Sequence, residues 1–435
     1  MDTSSSNKPL GGRVAVVGTG SRAAMFVRGI VARPSSQVVA FCEPNSIRAA
    51  YYNELLQSLG APSVPVYQPT QFDSMLKKEA VDMVVITCMD ALHDQYIVPA
   101  LEAGVRVLTE KPMTTDADKC RKILETVNRT GQHITVTFNY RYNPVHELVK
   151  RTIADGKIGK VISVHFEWLL DTVHGADYFR RWHRQKENSG GLMVHKAGHH
   201  FDLVNWWIDA QPEVVAGFGK LAFYGDEAGK QHGWAKDYVR ARGSEEAKKD
   251  PFAIDLEADP TLKRLYVFAS GIGIEDDMSV MVRYNTGATL TYHLTAYSPW
   301  EGYRVMFNGS IGRLELEVVE SQFRLLSDME GMDGLIHGNR ALPHAGDVKV
   351  TLHNLWQKPE NIPVKIDHAG HGGGDKRMLN VLFGPLPGEA AETGDASKQG
   401  ANERDGALAL AVGVLANESF KTGKFMDIKS LNLPL

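Results

Sequence analysis

The sequence is poor in cysteine: Cys42, Cys88 and Cys120 are the three in 435 residues. Their odd number and the lack of C-x-x-C spacing exclude a disulfide scaffold and favour a reducing, cytoplasmic setting. Long apolar runs are missing as well. The best late run, Ala407 to Ala416, falls far short of the ~20 residues that span a bilayer. The opening MDTSSSNKPLGG has no apolar core and reads as a short polar tail rather than a signal peptide. Charge of one sign is also lacking: 48 basic residues stand against 52 acidic ones, a net of −4. With no basic block, neither nucleic acid nor an anionic membrane is indicated as a partner. Internal repeats are absent.

What remains is the composition of a globular enzyme-sized chain, long enough for two or three domains at ~150 residues each. Residues 1–142 alternate strand and helix patterns. Arg13–Val17, Gln37–Cys42, Val81–Thr87, Gly104–Leu108 and Ile134–Phe138 are apolar, β-branched runs separated by helical stretches such as Ala24–Val31. Such alternation predicts βαβ units and a parallel sheet. After Tyr142 the strands follow one another through short turns: Val161–Trp168, Val214–Tyr224, Met278–Tyr284, Ala288–Tyr297 and Arg313–Val319. Asn285-Thr286-Gly287 is a hairpin signal between two of them. The fold expected is therefore α/β: a Rossmann domain over 1–142, then an α+β domain over 143–435 with a large, mostly antiparallel open sheet. Asp226–Lys263 and Pro385–Gly406 read as loops, and Ala407–Lys421 as a terminal helix.

Gly18-Thr19-Gly20-Ser21-Arg22-Ala23 is a G-x-G-x-x-A motif between a strand and a helix, the context that gives it meaning. The first glycine permits a tight turn, and the second lets the backbone approach a pyrophosphate at a helix N-terminus. Glu43 ends the next strand, 23 residues after Gly20, where an acid binds a ribose 2′-hydroxyl. A carboxylate there favours NAD over NADP, with Arg22 and Arg48 as nearby cations able to accommodate a 2′-phosphate. Farther on, His195, His199 and Asp202 fall together on one helical face, opposite Ala197, Phe201, Val204 and Ile208. Two histidines four apart suit a metal, but no glutamate sits at the second position and no third ligand is evident, so no metal is expected. Tyr178-Phe179-Arg180-Arg181-Trp182-His183-Arg184 mixes cations and aromatics and is either a substrate wall or a basic turn. The glycine-rich His368–Asp375 stretch lines a pocket or forms a turn. Tyr297–Arg304 reads as a strand turn with packed aromatics.

The fingerprint, with Thr87-Cys88-Met89-Asp90-Ala91-Leu92-His93, Thr109-Glu110-Lys111-Pro112 and Asn139-Tyr140-Arg141-Tyr142, resembles the glucose–fructose oxidoreductase / inositol dehydrogenase / rhizopine-catabolism family, Gfo/Idh/MocA. The resemblance covers nearly the whole chain. It implies NAD(P)-dependent hydride transfer to or from a sugar, sugar derivative or glycoside. It implies a cofactor site formed by Gly18, Gly20, Ser21, Arg22, Glu43, Thr87, His93, Glu110, Lys111 and Asn139. Lys111 would sit beside the nicotinamide on a cis Lys111–Pro112 bond. A histidine followed three residues later by aspartate marks the family's catalytic histidine, here His199 with Asp202. Inositol-dehydrogenase-like members carry aspartate four residues earlier, where this chain has His195. Both imidazoles are then expected at the substrate, with Lys111, Tyr178, Arg181 and His183 as further contacts. Two other functions share this scaffold: a redox-neutral NAD-dependent glycosidase, and a non-catalytic dinucleotide sensor. The resemblance also implies a homodimer or homotetramer built through the second domain's sheet.

Overall fold

The computed structural model describes residues 10–233, 267–325, 344–364, 372–392 and 399–435. The first residues of the polar tail, most of the Asp226–Lys263 stretch and His368–His371 lie outside the described residues.

Six strands form the first sheet: β1 (Gly12–Val17), β2 (Ser36–Cys42), β3 (Val66–Tyr67), β4 (Met83–Ile86), β5 (Arg106–Thr109) and β6 (Ile134–Val136). Each adjacent pair is parallel, in the order β3-β2-β1-β4-β5-β6. Val14 to Val17 are all fully buried, because helices cover both faces of the sheet. The order reverses between β1 and β4. The loops after these two strands therefore diverge and open a crevice at the carboxyl edge, where ligands of such sheets bind. β3 is a strand beyond the five expected from the sequence.

Nine strands form the second sheet: β7 (Val161–Asp171), β8 (Pro212–Lys220), β9 (Asp277–Tyr284), β10 (Thr289–Ser298), β11 (Glu301–Gly309), β12 (Gly312–Ser321), β13 (Val348–Asn354), β14 (Glu360–Ile362) and β15 (Met426–Asp427). The sheet is antiparallel throughout its order β14-β13-β12-β11-β7-β10-β9-β8-β15, save for the central β7–β10 pair, which is parallel. The strand turn expected at Tyr297–Arg304 is present but short: Pro299 and Trp300 alone make it, and the residues on either side belong to β10 and to β11, a strand beyond those expected. β8 stops at Lys220, short of Tyr224: the N–H groups of Ala222, Phe223 and Tyr224 leave the ladder and donate to Asp276 at 2.7–2.8 Å. On the inner face, Phe166, Trp168, Phe201, Val204 and Trp207 share one core with the helix Gly198–Ile208.

The chain then returns to the first domain. A helix over Gly374–Phe383, which the sequence pattern did not reveal, places Met378 and Phe383 in the core around β1. The helix Glu403–Thr422, opened by an Asn402–Asp405 capping box, begins four residues before the expected start. Its Ala407, Ala409 and Leu410 pack with the first sheet, and its Val412, Leu415 and Ala416 with the second. At Gly413 it lies against backbone: an added Cβ would come within 2.5 Å of the Met193 carbonyl oxygen. This strut thereby presses on the short helix Leu192–His195 and fixes where His195 stands.

Candidate active site

The crevice begins with the loop after β1. Gly18 has φ +81°, and a Cβ there would sit 2.5 Å from Cys88 Cα in the neighbouring loop. Gly20, by contrast, has no described residue within 4 Å of where its Cβ would be. Thr87 Oγ1 donates to the Gly18 carbonyl at 2.6 Å, and Tyr52 donates its hydroxyl to the Gly20 carbonyl at 2.5 Å. Glu43 accepts the Thr19 N–H and hydroxyl on Oε2 at 2.7 and 3.0 Å, and the Asn45 N–H on Oε1 at 2.9 Å. A tight loop, an open cradle at Gly20 and a carboxylate held at the end of β2 fit a dinucleotide whose diphosphate lies over Gly20. One prediction follows from the difference between the two glycines. Gly20→Ala keeps the melting temperature and weakens NAD binding; Gly18→Ala loses both, by about 1–3 kcal/mol of stability for the left-handed backbone alone. Thermal melts with and without NAD distinguish them.

Several residues expected at the cofactor also make bonds between loops. Arg22 donates from Nε to Glu110 Oε1 at 2.7 Å and from both terminal nitrogens to Asp375 at 3.0 Å. Asn139 Nδ2 donates to the same Asp375 at 2.7 Å. Arg22, expected as a cation near a 2′-phosphate, thus has its guanidinium held by two carboxylates. His93 is fully buried, with its ring nitrogens 2.9 Å from the Pro112 carbonyl and 3.2 Å from that of Cys88. It ties the loop after β4 to the loop after β5.

Lys111 lies on that second loop, and the Lys111–Pro112 bond is cis. Its ammonium donates to the His195 carbonyl at 3.2 Å. Burial pushes the Lys111 pKa down, against the pull of Asp90 and Glu110. Asp90, at the head of the turn after β4, is 4 % exposed and holds Oδ2 2.5 Å from His195 Nδ1. Burial pushes the Asp90 carboxyl up to about 7, with the charges of His93 and Lys111 opposing. It also pushes the His195 imidazole well down, helped by Lys111, so the ring is held neutral. No described residue bonds its Nε2. Around the ring stand His183 at 4.4 Å, Tyr178 at 5.5 Å and Trp182 at 5.8 Å between centroids. His183 stacks on Trp182 at 3.7 Å, and its buried Nδ1 has no hydrogen-bond partner among the described residues. Tyr178 shares a 3.1 Å hydrogen bond with His174 Nε2.

Three sequence expectations change here. His195 and His199 do not share one continuous helix: the run breaks into Leu192–His195 and Gly198–Ile208, so the common polar face is lost. His199 instead stacks on Tyr140 at 4.5 Å with its edge towards Phe138. Asp202 grips Arg141 through two bonds of 2.6 and 2.8 Å, joining the helix to the segment after β6. Arg181 donates to Asp177 at 2.8 Å, so its charge is met within its own turn of chain. Three groups escaped sequence reasoning: Asp90, Lys196 and Glu301, which lies 2.6 Å from His174 Nδ1. Asp90 had a signal, since an acid at the carboxyl end of a parallel strand faces the crevice.

Residues 12–138 match the family described as the oxidoreductase family's NAD-binding Rossmann fold, and residues 150–338 match that family's C-terminal alpha/beta domain. YteT of Bacillus subtilis (strain 168), named as an oxidoreductase, is 34% identical over 391 residues, covering 84% of this chain and 87% of its own. An inositol 2-dehydrogenase of Corynebacterium glutamicum (strain R) is 29% identical over 196 residues, 45% of this chain and 53% of its own. A glycosyl hydrolase family 109 protein of Streptomyces coelicolor is 26% identical over 187 residues, 41% of this chain and 40% of its own. The chain thus spans about half or less of the last two. With both domains matched and the dinucleotide crevice in place, the chain belongs to the Gfo/Idh/MocA oxidoreductase family and carries its NAD-binding domain.

Proposed function

We propose that this enzyme moves a hydride between NAD and a hydroxyl-bearing or keto carbon of a sugar, sugar derivative or glycoside. The observation that carries the reading is the assembly of Lys111, His195 and Asp90 at the crevice edge, brought together from three separate segments of the chain. When bound, the nicotinamide supplies the hydride acceptor or donor at C4. Lys111 hydrogen-bonds the reacting oxygen and stabilises charge that develops there. The hydroxyl proton passes to an imidazole. His195 is placed for this: Asp90 accepts its Nδ1–H, which leaves the Nε2 lone pair open. His199, on the next helix beside Tyr140, is the second imidazole. His183 and Tyr178 flank His195 as substrate contacts. Glu43 favours NAD, since its carboxylate repels a 2′-phosphate and Arg22 is occupied.

A second reading is favoured by one feature, the presence of two imidazoles of different surroundings, one paired with a buried acid. Oxidation of a sugar carbon acidifies the neighbouring C–H. A base removes that proton, the glycosidic oxygen departs by elimination, water adds, and the carbonyl is reduced again. The likeness to a glycosyl hydrolase family 109 protein supports it. An NMR time course in D₂O with NAD and a panel of sugars and glycosides separates the two. A ketosugar with matching NADH supports net oxidation. Cleaved glycoside with deuterium beside the oxidised carbon, and no net NADH, supports the second. Neither product from any sugar contradicts both. A homodimer or homotetramer through the nine-stranded sheet also fits, since Phe218 and Met281 lie exposed on its outer face.

A further inference from the structure

Lys196 directly follows His195 and is 6 % exposed. Its ammonium rests 4.7 Å from the Trp168 ring centroid and 5.8 Å from that of Tyr140. Among the described residues, no group gives it a hydrogen bond or an ion pair within 4 Å. Two acids, Glu301 and Glu320, act on it from farther away. Glu301 is engaged elsewhere, by the His174 ring at 2.6 Å and by Asp171, which in turn is held by Arg324 at 2.5 Å. The aromatic faces offer a cation–π surface but no acceptor for three N–H bonds.

A buried ammonium without an acceptor is costly unless a ligand supplies one. A second cation stands nearby. The charge of Lys111 reaches Lys196, and both reach the His195 ring. Lys111 repels this ammonium less than Glu301 and Glu320 attract it, so the unmet need is an acceptor in direct contact. A neutral hydroxyl would satisfy one hydrogen bond, whereas a carboxylate accepts several and meets the charge at the same contact. The buried Nδ1 of His183, 4.4 Å ring to ring from His195 and without a partner among the described residues, is another polar group beside that ring to be met.

We propose that Lys196 binds a carboxylate on the substrate, so that the enzyme selects acidic sugars over neutral sugars and cyclitols. The proposal rests on the hydride-transfer reading and names the substrate class for the same site. It makes the aromatic wall of Trp168 and Tyr140 a seat for the lysine rather than a platform for a sugar ring. The carboxylate has two sources, a hexuronate ring or an open-chain aldonate, and the test contains both.

Binding is measured by saturation-transfer NMR and calorimetry with NADH present, for matched pairs: galacturonate against galactose, glucuronate against glucose, galactonate against galactitol. At least one acidic member is expected to bind about tenfold or more tightly than its neutral partner, which is about 1.4 kcal/mol. Lys196→Met erases that preference while NADH binding stays. Lys196→Gln, which keeps a hydrogen-bonding head without the charge, does the same and carries the test if the methionine variant folds poorly. A hexuronate preference without an aldonate one assigns the carboxylate to the ring form, and the converse to the open chain. Equal binding of every pair, binding of no acid, or an acid preference that survives in both variants overturns the proposal. Tight acid binding with no hydride transfer would sink the hydride-transfer reading and leave the Lys196 site standing. Turnover of neutral sugars alone would do the reverse.

Discussion

Replacing Lys111 with methionine lowers kcat by about a thousandfold, the scale of losing one preorganised donor or proton-transfer partner in a buried site. Methionine keeps the length of the side chain and removes the charge. The fold should tolerate it, because burial already disfavours the Lys111 ammonium and methionine needs no hydrogen bond. NAD affinity should change little, since the diphosphate cradle at Gly20 and the Glu43 carboxylate lie on other loops. Steady-state kinetics with NADH fluorescence titration reads both quantities. A variant with wild-type kcat removes Lys111 from the reaction. A variant that no longer binds NADH recasts it as a cofactor contact.

Asp90→Asn lowers turnover by about two to four orders of magnitude while leaving the protein folded, because asparagine keeps the shape but not the charge that fixes the imidazole tautomer. The pH profile gives a finer test. Below about pH 7 the buried Asp90 is protonated. Its proton is then directed at His195 Nδ1, which leaves Nε2 as the N–H end of a neutral ring. Above about pH 7 the carboxylate accepts Nδ1–H instead, and the Nε2 lone pair faces the substrate. For alcohol oxidation kcat/KM is therefore expected to rise as pH passes 7 and then to level off. For reduction the sign reverses, since the pair must deliver a proton. In Asp90→Asn this step disappears. A wild-type profile flat between pH 6 and 8 would show that the pair does not control proton transfer, and an unchanged profile in Asp90→Asn would show that Asp90 is not the group responsible.

The crevice was legible because buried parallel strands are continuous apolar runs, and because Gly18, Gly20 and Glu43 stand at spacings the turn and ribose demand. Lys111 was legible for the same reason, at the end of β5. Other parts were hidden by physics that no local pattern carries. β3 is two residues long, with Val66 partly exposed, too short to show a period. β11 opens with Glu301-Gly302, a turn-like pair, yet it pairs with both β7 and β12. The apolar period from Ala197 to Ile208 is real, but it does not reach back to His195, because the helix breaks at Lys196-Ala197. Above all, the His195 ring meets Asp90 across 105 residues of sequence and Lys111 meets the His195 carbonyl across 84. Those contacts arise from the second domain's packing, including the strut at Gly413, and no local pattern around Asp90 carries them.

The most direct test supplies NADH deuterated at C4 to the purified protein with a panel of neutral and acidic ketosugars, and follows the label by NMR. Deuterium appearing on a sugar carbon, and failing to appear in the Lys111→Met protein, is the result predicted for hydride transfer at this site. Retention of all the label on nicotinamide across the panel, in protein shown to bind NADH, would contradict it.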